Sequence, residues 1–292
     1  MQNTSQTEKL KNSLTAIRQD QAEYPQEWQS LPDAPKILYA LGDISLLKSR
    51  KFTIVGSRAI APHALKLGEK LSQELSHAFT IVTGTAEGGD SAAIEGALSG
   101  SGKIVCLLAG GFSAMPQNNL DLMRKVAKYG LLLSPHPFET PVRSFSYAYR
   151  NKLLAALGEG ALVISAGEKS GALITANYAL QAQKPVFAFP YPPNQANGAG
   201  CNDLIKRGAY LTENTQDISN RLPFSLPEKT AQVALCETEE KIYAVLREKG
   251  ELHLTEISNL CEIPVFKLRA HLSSLEVKGL AVSLGGNRYA PV

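Results

Sequence analysis

Lys51-Phe-Thr-Ile-Val-Gly-Ser-Arg58 runs an apolar strand directly into a Gly-Ser-Arg turn, and a helical pattern follows at 62–77. A junction of this kind gathers backbone N–H groups, a hydroxyl and a guanidinium in one place, a set suited to an anion such as a phosphate. Outward from it the apolar pattern keeps switching period. Strands are predicted at 52–55, 79–82, 104–108, 131–133, 161–165 and 186–189, and helices at 62–77, 89–101, 118–129, 148–158 and 173–183. Nearly continuous apolar strands alternating with helices predict an α/β class: a mostly parallel, doubly wound sheet covered by helices on both faces.

Three further stretches share the strand-end character of the first. Thr83-Gly-Thr-Ala-Glu-Gly-Gly-Asp90 follows the second strand, Arg150-Asn151-Lys152 opens an Ala/Leu-rich helical stretch, and Ser170-Gly-Ala-Leu-Ile-Thr175 follows the fifth strand and a loop with Glu168 and Lys169. In an open parallel sheet such loops converge on a crevice where the strand order reverses. Arg58, Arg150, Lys152 and Lys169 are therefore expected to make one basic pocket lined by Gly and Ser. Each stretch also has a plainer reading. Gly84, Gly88 and Gly89 are equally what close approach of helix and strand requires, Arg150 and Lys152 fit ordinary helix-surface charges, and Asp90 fits the first turn of a helix.

The chain of 292 residues has 30 Lys and Arg against 27 Asp and Glu, a net charge of +3 that leaves any polyanion site to local clustering. Cys106, Cys201, Cys236 and Cys261 are widely separated and His63, His77, His136, His253 and His271 are scattered, so no residue pair has metal-ligand spacing. No metal and no cofactor is expected, and the thiols fit a reducing cytoplasm. No apolar run reaches membrane-spanning length and no signal peptide is evident, so no membrane partner is expected. The Gly-x-Gly-x-x-Gly and P-loop spacings are both missing, which argues against dinucleotide and P-loop chemistry.

Four segments are expected. Residues 1–39 read as a short arm, with Leu10, Leu14 and Ile17 at helical spacing, and an irregular, proline-rich preface. Trp28 and Tyr39 either anchor this preface on the sheet or, for Trp28, face a partner. Residues 40–222 form the sheet domain and 223–236, with Pro223 and Pro227, the linker. Residues 237–292 form a winged helix: apolar faces at Ile242/Val245/Leu246, Leu254/Ile257/Leu260 and Val265/Leu268/Leu272/Leu275, then a hairpin turning at Gly285-Gly-Asn287. Its last helix displays Lys267, Arg269, His271 and Lys278, a moderate charge for a duplex-binding surface.

The ordered motifs resemble the DNA-processing protein A family, also called DprA or Smf. They are Tyr24-Pro25, Val55-Gly-Ser-Arg58, Gly84-x-Ala-x-Gly-x-Asp90, Arg150-Asn151, Ser170-Gly-x-Leu-Ile-Thr-Ala176 and Gly200-x-Asn-x-Leu-Ile-x-x-Gly-Ala209. The resemblance covers about 24–215 and implies an extended Rossmann-like fold. It also implies binding and protection of single-stranded DNA, loading of the RecA recombinase during natural transformation or recombination, and a homodimer. The implied DNA contacts are Gly56, Ser57, Arg58, Gly84, Gly88, Asp90, Arg150, Asn151, Lys152, Lys169, Ser170, Gly171 and Thr175. Arg58 is expected to grip a phosphate bidentately, with the amides of Gly56 and Ser57 completing its coordination.

The chain departs from the family pattern at several positions. Thr83-Gly-Thr-Ala86 replaces Ser-Gly-Leu-Ala, Ile94 stands where a histidine is usual, and Lys152 takes the place of an arginine. Met115-Pro116 stands for Tyr-Pro, so no aromatic platform for a base is expected there, and Ser134-Pro135 stands for Ser-Glu. No catalytic residue is assigned, because no nucleophile has a basic partner in sequence. An alternative remains open: a nucleotide or nucleoside-phosphate enzyme of related fold, with Asp90 or Glu87 assisting the leaving group.

Overall fold

The computed structural model describes residues 2–226 and 235–291. The chain divides into two compact units, Met1–Leu226 and Pro227–Val292. The strands of the first unit are β1 (Thr15–Arg18), β2 (Ile37–Gly42), β3 (Lys51–Gly56), β4 (Thr80–Thr83), β5 (Ile104–Leu107), β6 (Leu131–Ser134), β7 (Ala161–Ser165), β8 (Val186–Ala188) and β9 (Tyr210–Leu211). They form one nine-stranded sheet in the order β1-β2-β6-β5-β4-β3-β7-β8-β9. Every pairing from β6 across to β9 is parallel, whereas β1 on β2 and β2 on β6 are antiparallel.

Its helices are α1 (Gln2–Asn12), α2 (Pro62–Leu75), α3 (Gly89–Ser99), α4 (Leu120–Tyr129), α5 (Ser144–Leu157), α6 (Ala172–Gln181), α7 (Ala199–Lys206) and α8 (Thr215–Ser219). Strands β4 to β7 are buried along their whole length, the condition that a parallel sheet covered on both faces imposes and that produces uninterrupted apolar runs rather than alternation. The chain steps outward from β3 through β4 and β5 to β6, then returns to the other side of β3 with β7. The strand order therefore reverses between β3 and β7.

The expected short helix is present as α1, but residues 15–39 are not an arm. β1 and β2 extend the sheet through β6, Ile17 and Leu38 enter the core, and Trp28 is fully buried with its indole Nε1 donating to the Leu153 carbonyl at 2.9 Å. Tyr24 donates its hydroxyl to the Pro35 carbonyl at 2.8 Å, closing the proline-rich turn between the two strands. The β1 strand carries one buried residue in four, too short an alternation to register as a strand in sequence.

The second unit holds α9 (Glu237–Lys249), β10 (Leu252–His253), α10 (Leu254–Cys261), α11 (Val265–Val277), β11 (Ala281–Gly285) and β12 (Arg288–Pro291). The strands form a sheet ordered β10-β12-β11. Ile242, Leu246, Leu254, Ile257, Leu268, Leu272 and Leu275 make its core, as their helical spacing predicts, whereas Leu260 is exposed. The β11–β12 turn has positive φ at Gly285, Gly286 and Asn287, which glycine and asparagine accept most readily. Of the expected linker, residues 227–234 lie outside the described residues.

Candidate nucleic-acid interface

A cleft of about 650 Å³ opens at the carboxyl ends of β3 and β7, where the strand order reverses. Its wall on the β3 side is Gly56, Ser57 and Arg58; on the β7 side it is Lys169, Ser170, Gly171 and Thr175; and Asp90, Tyr147, Arg150 and Asn151 line it as well. Ten of the thirteen expected contact residues thus converge from loops far apart in sequence. Lys152, Gly84 and Gly88 are not on its lining.

The charges are distributed differently from the expectation. Arg150 and Asp90 are both buried and form an ion pair, Nη1 to Oδ2 at 3.6 Å. Burial pushes the Asp90 carboxyl above its ordinary range, opposed by the Arg150 guanidinium and by the Ala86 amide, which donates to Oδ2 at 3.2 Å. Lys152 turns away on α5 and pairs with Asp33 at 2.5 Å. Arg58 and Lys169 are exposed cleft residues with no acidic partner among the described residues. They are the exposed positive charge that the cleft offers an anion.

The turn at Gly56 is likewise built for rigidity. The Ser57 amide donates to the Ser165 carbonyl at 2.8 Å. The Ser57 amide is therefore not left to coordinate a phosphate, contrary to expectation, because the parallel β3–β7 pairing consumes it. The Ser57 hydroxyl bonds the Ala59 carbonyl and the Ser165 hydroxyl, both at 2.8 Å, and so sets the path of the chain that presents Arg58. Across the cleft, the Asn151 amide donates to the Gly171 carbonyl at 2.9 Å, fixing the start of α6 against α5. The Thr175 hydroxyl and Arg150 Nε line this floor, buried and without a hydrogen-bond partner.

Gly84 and Gly88 act by what they lack. A Cβ on Gly84 would lie 1.5 Å from Arg150 Nη1 and 2.2 Å from Asp90 Oδ2, and one on Gly88, at φ +80°, would strike the Ser57 and Arg58 carbonyls. Close approach is thus their role. Gly84→Ala is expected to cost about 1–3 kcal/mol of stability by prising the buried pair apart; urea unfolding indistinguishable from that of the parent would contradict it.

One contributor escaped the sequence reading. Tyr147, 39 % exposed, lines the cleft with its ring 5.9 Å from the Arg58 guanidinium carbon. Arg58, Ala86 and Tyr147 also border a second basin of about 340 Å³ that continues past Thr85 and Glu87 to Pro116 and Asn118. The floor therefore runs on along the strand ends as a track. The signal was present in Ser144-Phe-Ser-Tyr-Ala-Tyr149, an aromatic interleaving just before Arg150. Helix α5 begins at Ser144, a turn earlier than its apolar spacing indicated. Glu168, expected at the same opening, instead borders a separate depression with Tyr191 and Lys206.

In the second unit, two of the expected cationic side chains are engaged internally: Arg269 donates to Asn287 Oδ1 at 2.9 Å and Lys278 pairs with Glu239 at 2.6 Å. No helix among the described residues is long and apolar enough to cross a membrane.

A family model described as DNA recombination-mediator protein A matches residues 15–223. The DNA processing protein DprA of Bacillus subtilis (strain 168) is 36 % identical over 204 residues, covering 69 % of each chain. That of Streptococcus pneumoniae is 35 % identical over 203 residues, covering 69 % of this chain and 72 % of its own. The X-ray structure of the Streptococcus pneumoniae protein superposes with a TM-score of 0.70 at 31 % identity, over 76 % of this chain and 79 % of that one. DNA processing protein A from Helicobacter pylori, whose structure concerns a single-stranded DNA binding mode, superposes with a TM-score of 0.65 at 31 % identity, over 72 % and 95 %.

Proposed function

The chain belongs to the DNA recombination-mediator protein A family, and from that premise we propose that its first unit binds single-stranded DNA along the cleft between the β3 and β7 loops. Arg58 and Lys169 hold successive phosphates, and Tyr147 offers a face to a base. Asp90, Arg150 and Asn151, with Gly56, Ser57, Gly84 and Gly88, hold the two walls in register. Ser170, Gly171 and Thr175 present the start of α6, whose amide end favours an anion.

The observation that carries the reading is the pairing of two unneutralised cations with an exposed aromatic ring in one track at the sheet's switch point. Phosphate-tracking charge interleaved with stacking surface is the composition that unpaired strands require. The single-stranded DNA binding of the Helicobacter pylori relative supports it. Protection of the strand, loading of the RecA recombinase, action as a homodimer and a place in transformation or recombination belong to the same proposal and rest on family membership. The proposal assigns no catalytic residue.

The test is a salt series on the intact protein with single-stranded DNA, duplex and mononucleotides. Preference for the single strand, with affinity falling steeply as salt rises, is expected. Lys152→Ala should leave that affinity unchanged, because Asp33 already neutralises the ammonium. Equal affinity for duplex refutes the assignment to the cleft. Saturable mononucleotide binding with product formation would instead establish the nucleotide-enzyme reading.

A further inference from the structure

Cys236, Glu239 and His271 carry no metal spacing in the sequence, yet the second unit draws them together. Their ligand atoms all lie within 4.8 Å of one another, and Cys236 Sγ is 3.9 Å from His271 Nδ1. Cys236 caps the amino end of α9, Glu239 sits in the first turn of that helix, and His271 projects from α11, which packs against it. We propose that these three side chains form a binding site for a borderline-soft divalent cation of the zinc class, with water completing the coordination.

The geometry needs little adjustment. Zinc bonds of about 2.3 Å to sulfur and about 2.0–2.1 Å to nitrogen place tetrahedral S and N ligands roughly 3.6 Å apart. A thiolate, an imidazole and a carboxylate are a donor set that suits zinc or cobalt and gives calcium or magnesium little to hold. Glu239 remains competent although it is already engaged. It accepts from the Cys236 amide at 3.0 Å, from Lys278 at 2.6 Å and from the Ser274 hydroxyl. A carboxylate offers about four acceptor positions, so one is left for a metal while Lys278 stays as an outer partner that orients the group. Cys106, Cys201 and Cys261 are buried, which leaves Cys236 as the accessible thiol.

The site ties the start of α9 to α11 within the second unit. The test is titration of the full-length, tag-free, reduced and metal-stripped chain with Co²⁺. The expected result is a thiolate-to-cobalt charge-transfer band in the near ultraviolet with the visible ligand-field absorption of a tetrahedral ion, at one cobalt per chain. Cys236→Ser should abolish the band. Loss of even an outer-sphere partner typically weakens metal affinity about 10–100-fold, so His271→Ala should cost at least that much. Neither side chain is in the apolar core, so both variants should fold, as far-ultraviolet circular dichroism will report. No band with cobalt in excess, a band surviving Cys236→Ser, or an unchanged affinity in His271→Ala overturns the proposal.

Discussion

Arg150→Met is expected to destabilise the first unit by about 3–5 kcal/mol at neutral pH, the usual cost of removing one partner from a buried ion pair. The guanidinium is buried beside Asp90, whereas the other cations of the cleft's lining, Arg58 and Lys169, are exposed. Trp28, the chain's single tryptophan, is fully buried in the same unit, so its fluorescence follows the unfolding of that unit alone.

The pH dependence distinguishes the ion pair from simple packing. Burial already raises the Asp90 carboxyl, so the folded state holds the proton more readily than the unfolded one. Stability then falls as pH rises from the ordinary carboxylate value through the folded value, and returns on acidification. Removing Arg150 raises the carboxyl further, and its cost should shrink as the solution is made acidic and Asp90 takes up a proton. Asp90→Asn should lose this pH dependence. A destabilisation below about 1 kcal/mol, the range of exposed pairs, or one that does not vary between neutral and mildly acidic solution, would show that the pair carries no such weight.

Arg58→Ala is expected to weaken single-stranded DNA binding about 10–100-fold, corresponding to loss of a charge-assisted contact worth about 1.5–3 kcal/mol. It should also flatten the plot of log affinity against log salt by about 0.7, the counterion release of one single-strand phosphate. The loss should be similar for all sequences, since a phosphate contact reads no base. Arg58→Glu should weaken binding further while leaving the unfolding midpoint near that of the parent, because the side chain is exposed and has no acidic partner among the described residues. Tyr147→Ala should cost about 1–3 kcal/mol of affinity with little change in the salt slope. An unaltered slope in Arg58→Ala would remove Arg58 from the phosphate track.

Much of this was legible without coordinates. The apolar runs at β3 to β8, the helices between them and the Gly-rich junctions after β3, β4 and β7 are local features, because continuous apolar strands and turn glycines follow from near-neighbour chemistry. The faces of α9, α10 and α11 were readable for the same reason, except that Leu260 of α10 turns out exposed. What escaped was short or long-range. β1 and β2 bury too few residues for their alternation to stand out, and their place in the sheet depends on pairing with β6. Tyr147 lay just ahead of the helix start inferred from apolar spacing.

By itself, the sequence determined the parallel α/β sheet, the loops that crowd its switch point and the family to which the chain belongs. Tertiary structure alone decided which cations are free there. Four basic residues read alike in sequence, but Asp90 neutralises Arg150 and Asp33 takes Lys152, leaving Arg58 and Lys169 to an anion. The physical reason is that charge is carried by a residue whereas its availability is set by distance and burial. Asp33 and Lys152 are 119 positions apart along the chain and meet only when the turn before β2 has folded onto α5.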